Sequence, residues 1–126
     1  MKPSELHSDN APQPIGPYSQ AMACGDFVFL SGQISIDPQS GQVTGADVSE
    51  QTSRIFENIR ALLAAQSLDL GSVVKTTVFL TDMGSFGSFN SVYEKEFCGW
   101  KPARSVVEVS RLPKNALVEI EVIACR

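Results

Sequence analysis

Apolar residues along this chain recur with two different periods, and the places where the period changes mark out the elements. Gln20–Cys24 and Phe27–Ile36 are short, β-favouring runs separated by Gly25-Asp26, a two-residue hairpin signal. Asp37-Pro-Gln-Ser-Gly41 follows as a turn, with proline and glycine where turn geometry favours them. The period then lengthens. Val48, Thr52, Ile55, Ile59, Leu62 and Leu63 keep helical spacing, and Asp47 with Glu50 supplies a capping box ahead of them. This helix is predicted to end near Ser67. Val73–Thr81 is β-branched and apolar and reads as a strand. Phe86, Phe89, Tyr93 and Phe97 recur at i, i+3, i+7 and i+11 and predict a second amphipathic helix. No basic residues interleave that aromatic stripe, so it reads as core and not as a stacking platform for bases. Ala103–Ser110 and Leu117–Cys125 close the chain as strands around the turn Arg111–Asn115.

The predicted order is β-β-α-β-α-β-β, an α+β single domain with both helices packed on one face of the sheet. Strand alternation then sorts side chains between the two faces. In the last strand Val118, Ile120, Val122 and Ala124 share the apolar side, and Glu119, Glu121 and Ile123 the other. In the strand before it, Ala103, Ser105, Val107 and Val109 alternate with Arg104, Val106, Glu108 and Ser110. The helices must cover the apolar faces, whatever the strand order, so Arg104, Glu108, Glu119 and Glu121 are expected to project together from the opposite face. That face also carries apolar residues, a mixture better suited to a contact between subunits than to water.

Composition removes several classes of function. The 126 residues suit one domain, 1–126, whose first dozen polar, Pro-rich residues (1–12) read as a flexible N-terminal segment. Ten Lys+Arg against 14 Asp+Glu give a net charge of −4, so a phosphate backbone is a poor partner and no nucleic acid is expected. The longest apolar run, Ala61–Ala65, is far below the roughly 20 residues of a membrane span. The start lacks the apolar core of a secretory signal, and three scattered cysteines suit a reducing compartment, so the expected location is cytoplasmic, with no membrane association. A single histidine, His7, and the absence of any ligand-spaced cluster leave metal and triad chemistry poorly supplied.

Four strings narrow the reading: IGPYSQA (15–21), SGQI (31–34), VVKTTVFLTDM (73–83) and PARSVVEVSRLPKNALVEIEVIA (102–124). Together they resemble the reactive intermediate deaminase (Rid, formerly YjgF) family, RidA subgroup, from about Asn10 to the C-terminus. The resemblance implies a chorismate-mutase-like fold, a mixed β-sheet with two helices on one face. It further implies a homotrimer with active sites in clefts between subunits. The implied activity is hydrolysis of reactive 2-imino acids and their enamine tautomers, such as 2-iminobutanoate and 2-iminopropanoate, to 2-keto acids and ammonia, with no metal or organic cofactor.

Carried over residue by residue, the resemblance assigns Arg104 of PARS to the substrate carboxylate, which suits a guanidinium able to donate two parallel hydrogen bonds. Glu119 of VEIE is implied as the carboxylate that orients water for attack on the imine carbon. Tyr18 of GPYSQ is implied to lie along the substrate, Gly32 of SGQ to supply backbone contacts with Ser31 beside it, and Asn90 to stand near the cleft. Asn90 also reads as a helix residue satisfied locally. Two departures stand out. Val106 occupies a position where relatives often carry cysteine, and the loop after Phe97 (CGWK) is short, with Lys101 where an aromatic often precedes the proline. A non-catalytic binder of small carboxylate metabolites is the alternative on the same scaffold. The ribonuclease reading attached to older family labels is disfavoured by the acidic balance.

Overall fold

The computed structural model describes residues 2–126. Eight elements carry the fold: β1 (Ser4–Leu6), β2 (Ala21–Cys24), β3 (Phe27–Gln33), α1 (Val48–Ala64), β4 (Val73–Leu80), α2 (Phe86–Phe97), β5 (Ala103–Glu108) and β6 (Val118–Cys125). The six strands form one open sheet in the order β1-β2-β3-β6-β4-β5. Only β4 and β5 pair in parallel; the other neighbours are antiparallel, so the sheet is mixed.

The chain's connections explain why both helices lie on one side. β3 and β4 are each antiparallel to β6, hence parallel to one another, and α1 joins them; α2 joins the parallel pair β4 and β5. Both crossovers step the same way across the sheet, and right-handed crossovers in one direction put their helices on one face. Local signals set the boundaries. Asp47 accepts the Glu50 N–H at 2.9 Å and Glu50 reaches back to the Ala46 N–H at 2.8 Å, closing the cap of α1. Gly25 takes φ 60° at the first central position of the β2–β3 hairpin, where glycine is favoured.

Between helices and sheet lies the core. Phe56 and Phe89 are wholly buried, as are Val78, Leu80, Val118 and Ile120 from the central strands. The aromatic stripe of α2 behaves as the spacing predicts: Phe56 of α1 packs edge-on against Tyr93 and Phe97, with centroids 5.8 and 5.4 Å apart.

Two expectations need correction. The first concerns the N-terminal segment. Residue 1 lies outside the described residues, but Ser4–Leu6 pairs with β2, and Ala11 is buried. Side chains reinforce the strand pairing: Gln20 accepts the Ser8 N–H at 2.8 Å and donates to the carbonyls of Ser8 (3.0 Å) and Pro12 (2.9 Å), and Gln13 donates to those of Ser8 and Ala11, each at 3.1 Å. The segment is tied to the sheet through these bonds. His7 remains exposed there, bonded to Asp9.

The second correction concerns β5. Its register with β4 sets Arg104 beside Thr76, Val106 beside Val78 and Glu108 beside Leu80. Directly paired residues share a face, and Thr76, Val78 and Leu80 are buried under the helices. Arg104, Val106 and Glu108 therefore stand on the helix side. Glu119 and Glu121 pair with Phe79 and Thr77 and occupy the open face, as expected. The expectation that all four charges share one face fails because β5 is an edge strand. Glu108, for example, sits beyond the core and accepts the Met83 N–H at 2.7 Å, where water also reaches.

Candidate functional site

The residues singled out from the sequence fall into two groups, one on each side of the sheet. On the helix side, parallel pairing to β4 places Arg104 against the flank of α2. Its Nη1 donates to Asn90 Oδ1 at 2.7 Å. Its Cζ lies 4.7 Å from the centre of the Tyr93 ring and 5.6 Å from that of Phe86. Tyr93 is itself held: its hydroxyl and that of Thr76 share a hydrogen bond of 2.8 Å inside the core. Burial pushes the Tyr93 phenol up, against smaller opposing effects of the Thr76 hydrogen bond and the Arg104 charge, so the ring stays a neutral π face. Among the described residues Arg104 has no carboxylate partner. A guanidinium fixed by an amide oxygen and two rings, with donors left over, has the chemistry to bind an anion. It borders a groove of about 840 Å³ between α2 and the loop that leads into β5.

On the open face, Glu119 projects from β6 beside β3. Leu30 and Gln33 bracket a register irregularity in β3, and Gly32 lies within it. A Cβ on Gly32 would stand 2.9 Å from Glu119 Cδ, so the absence of a side chain is what admits the carboxylate. Burial, and secondarily the charge of Glu121, raise the Glu119 carboxyl above the ordinary glutamate range. A small cleft of about 80 Å³ lies here, lined among others by Ile15, Tyr18, Gly32, Pro113 and Glu119. Ser31 does not line it. The Ser31 hydroxyl donates to Ser19 O at 2.6 Å and its N–H to Gln20 O at 3.0 Å, which braces the segment carrying Tyr18.

Glu119, Gly32 and Tyr18 thus come together, and Arg104 and Asn90 come together, but the two sets lie on opposite faces of one sheet. Within a single chain the backbone stands between them. Several neighbours of Arg104 escaped the sequence reading. Tyr93 and Phe86 entered it only as core residues, although Asn90 and Tyr93 are three apart on one helix and share a face. Cys98 also borders the groove with Arg104, a placement its position in the sequence does not announce. Among the described residues no group of three or more His, Cys, Asp or Glu side chains is arranged to hold a metal. No helix is long and apolar enough to cross a membrane.

Comparison with known proteins agrees with this fold. The profile of the family described as Endoribonuclease L-PSP matches residues 8–126. A RutC family protein of Pyrococcus horikoshii is 51% identical over 119 residues, 94% of each chain. A 2-iminobutanoate/2-iminopropanoate deaminase of Salmonella typhimurium is 47% identical over 124 residues, 96% of each chain. Among solved structures, E. coli TdcF with bound serine superposes with a TM-score of 0.92 at 42% identity, covering 98% of both chains.

Proposed function

The chain belongs to the Endoribonuclease L-PSP family, the YjgF/Rid family, and from that premise we propose that it is a RidA-type deaminase. It hydrolyses reactive 2-imino acids to 2-keto acids and ammonia as a homotrimer with sites between subunits. The observation that carries the reading is the division of the site. Arg104, which has no carboxylate partner among the described residues, and Glu119, a half-buried carboxylate with a raised pKa, stand on opposite faces and can meet only across a subunit boundary. The open face is fitted for such a boundary. Phe27, Phe29 and Val107 are each more than two-fifths exposed on it, and Ile123 and Phe79 lie alongside. Two relatives support the substrate class. One at 47% identity bears the 2-iminobutanoate/2-iminopropanoate deaminase name, and one solved structure holds serine, a small amino acid.

In this reading Arg104 of one subunit holds the substrate carboxylate, and Glu119 of a neighbour orients a water toward C2. The water oxygen bonds to C2, the C=N electron pair moves to nitrogen, and a carbinolamine forms. Both water protons pass to nitrogen, relayed through Glu119: the first as the carbinolamine forms, the second from its hydroxyl as the C–O bond becomes C=O and the C–N bond breaks with loss of ammonia, leaving the keto acid. A carboxylate whose pKa lies above the ordinary glutamate range is a better proton acceptor, and so better suited to such a relay, than an ordinary surface carboxylate. Imines hydrolyse readily in water, so positioning supplies most of what is required. Tyr18 and the Gly32 backbone would form the wall along which the substrate lies, and Asn90 would act through Arg104.

The direct test generates the imine with a threonine dehydratase and measures keto-acid release against trapping by semicarbazide. Faster keto-acid release with this protein present is expected. A folded, trimeric protein that binds 2-oxobutanoate but leaves the hydrolysis rate unchanged would overturn the enzyme reading in favour of a binder of small carboxylates.

A further inference from the structure

The loop that leaves α2 is short and closely held. Cys98 and Gly99 take consecutive left-handed conformations, φ 51° and 93°. The Cys98 N–H donates to Glu94 O and the Trp100 N–H to Phe97 O, each at 3.1 Å. The Trp100 indole N–H donates to Val73 O at 2.7 Å. The chain therefore reverses within two residues and is pinned at Trp100 before it joins β5. Lys101 sits between that pin and Pro102, on the wall of the groove that also holds Arg104.

The groove's charged lining is Lys95, Lys101 and Arg104 against Glu94. Three cations against one anion leave a local excess of two positive charges on a chain whose net charge is −4. None of these four groups is within ion-pair distance of an opposite charge among the described residues. A ligand with one carboxylate occupies Arg104 and leaves Lys101 to water. A ligand with a second carboxylate on its side chain can satisfy both, and complementarity of this kind selects among ligands of similar size. We propose that this groove favours dicarboxylic 2-imino acids over those with alkyl side chains, and that Lys101 is the residue that discriminates. This rests on Arg104 being the seat of the first carboxylate and adds a preference to it.

The keto-acid products are stable probes of that preference. Calorimetry on the intact protein compares 2-oxoglutarate with 2-oxobutanoate at low and high salt, in wild type, Lys101→Met, Lys101→Glu and Arg104→Ala. In wild type at low salt, 2-oxoglutarate should bind more tightly, by up to about fivefold, the scale of one partly exposed charge pair. That ratio should fall toward one at high salt and in Lys101→Met, which keeps the bulk of the stem, and should invert in Lys101→Glu. A wild-type ratio of one or below, or a ratio unchanged in Lys101→Met, overturns the preference while leaving the carboxylate seat standing. If Arg104→Ala binds both acids as tightly as wild type, or wild type binds neither, the seat itself is wrong and the preference falls with it.

Discussion

Gly32→Ala places one methyl group where the Glu119 carboxylate now lies. The Cβ position stands 2.9 Å from Glu119 Cδ and 3.2 Å from Cγ, with Oε2 nearer still, so the carboxylate must swing aside. Alanine itself is not strained there, because Gly32 is not among the glycines with positive φ. What moves is the end of a flexible side chain, so the cost should fall at or below the low end of the roughly 1–3 kcal/mol typical of overpacking. Against it, replacing glycine by alanine stabilises by about 0.4–1 kcal/mol through the unfolded chain. The two effects nearly offset, and Tm should move by only a few degrees (about 1 kcal/mol or less). Activity has no such compensation. A water-orienting carboxylate displaced by about 1 Å costs on the order of 10²-fold in kcat, whereas 2-oxobutanoate affinity, set by Arg104 on the other half-site, should change little. Scanning calorimetry, light scattering and the coupled imine assay on one preparation separate these terms. If kcat stays within about threefold of wild type, a carboxylate positioned over Gly32 is not part of the chemistry. If Tm and mass collapse together with activity, the substitution has acted on folding and the steric reasoning is wrong.

Three further outcomes are expected. Glu119 has a folded-state pKa above its unfolded value, so the native state binds the proton more tightly and stability declines as pH rises through that window, the cost persisting at neutral pH. Glu119→Gln should therefore raise Tm at pH 7 but not below the ordinary glutamate range, and Glu121→Gln should move the acid limb of the kcat profile to lower pH; an unmoved limb refutes the assignment of that limb to Glu119. Arg104→Ala should weaken 2-oxobutanoate binding by about 10- to 100-fold, the scale of a charge-assisted pair, and Arg104→Lys should recover only part of it for want of two-pronged geometry; full recovery in calorimetry would argue against a bidentate seat. Phe29→Glu, on the exposed apolar face, should reduce the mass seen by light scattering from about three times 13.6 kDa to a single chain and abolish turnover, and an active monomer would refute sites shared between subunits.

Much of the fold is legible in the sequence because its signals are local. The Asp47–Glu50 cap, the Gly25 hairpin and the aromatic period of α2 depend on residues within a few positions of one another, and each forms as its pattern predicts. Alternation in β6 is equally clear, since Val118, Ile120, Val122 and Ala124 leave no doubt about which side is buried. β5 offers no such contrast. Ala103, Ser105 and Val107 against Arg104, Val106 and Glu108 is a near-balanced choice, and only its parallel register with β4 decides it. That register is non-local, as is the hold of Gln20 on Ser8 and Pro12 that draws the N-terminal segment onto the sheet.

The misassigned face of β5 has a direct bearing on how the site works. With Arg104 and Glu119 on one face, a single chain could assemble anion seat and carboxylate together, and the apolar residues of the open face would have no part in catalysis. The observed register removes that option. The seat is built from α2, through Asn90 and Tyr93, while the carboxylate is built from β6 against Gly32. Each half has its own local support: one rests on a buried Tyr93–Thr76 hydrogen bond, the other on a side chain that fits only where β3 lacks a Cβ. On the proposed reading, what brings them within reach of one small substrate is subunit packing over Phe29, Ile123 and Phe79. Those apolar residues then control turnover without touching substrate, because the distance between seat and carboxylate is a property of the interface. A substitution there should lower kcat even where each half-site, taken alone, is unaltered.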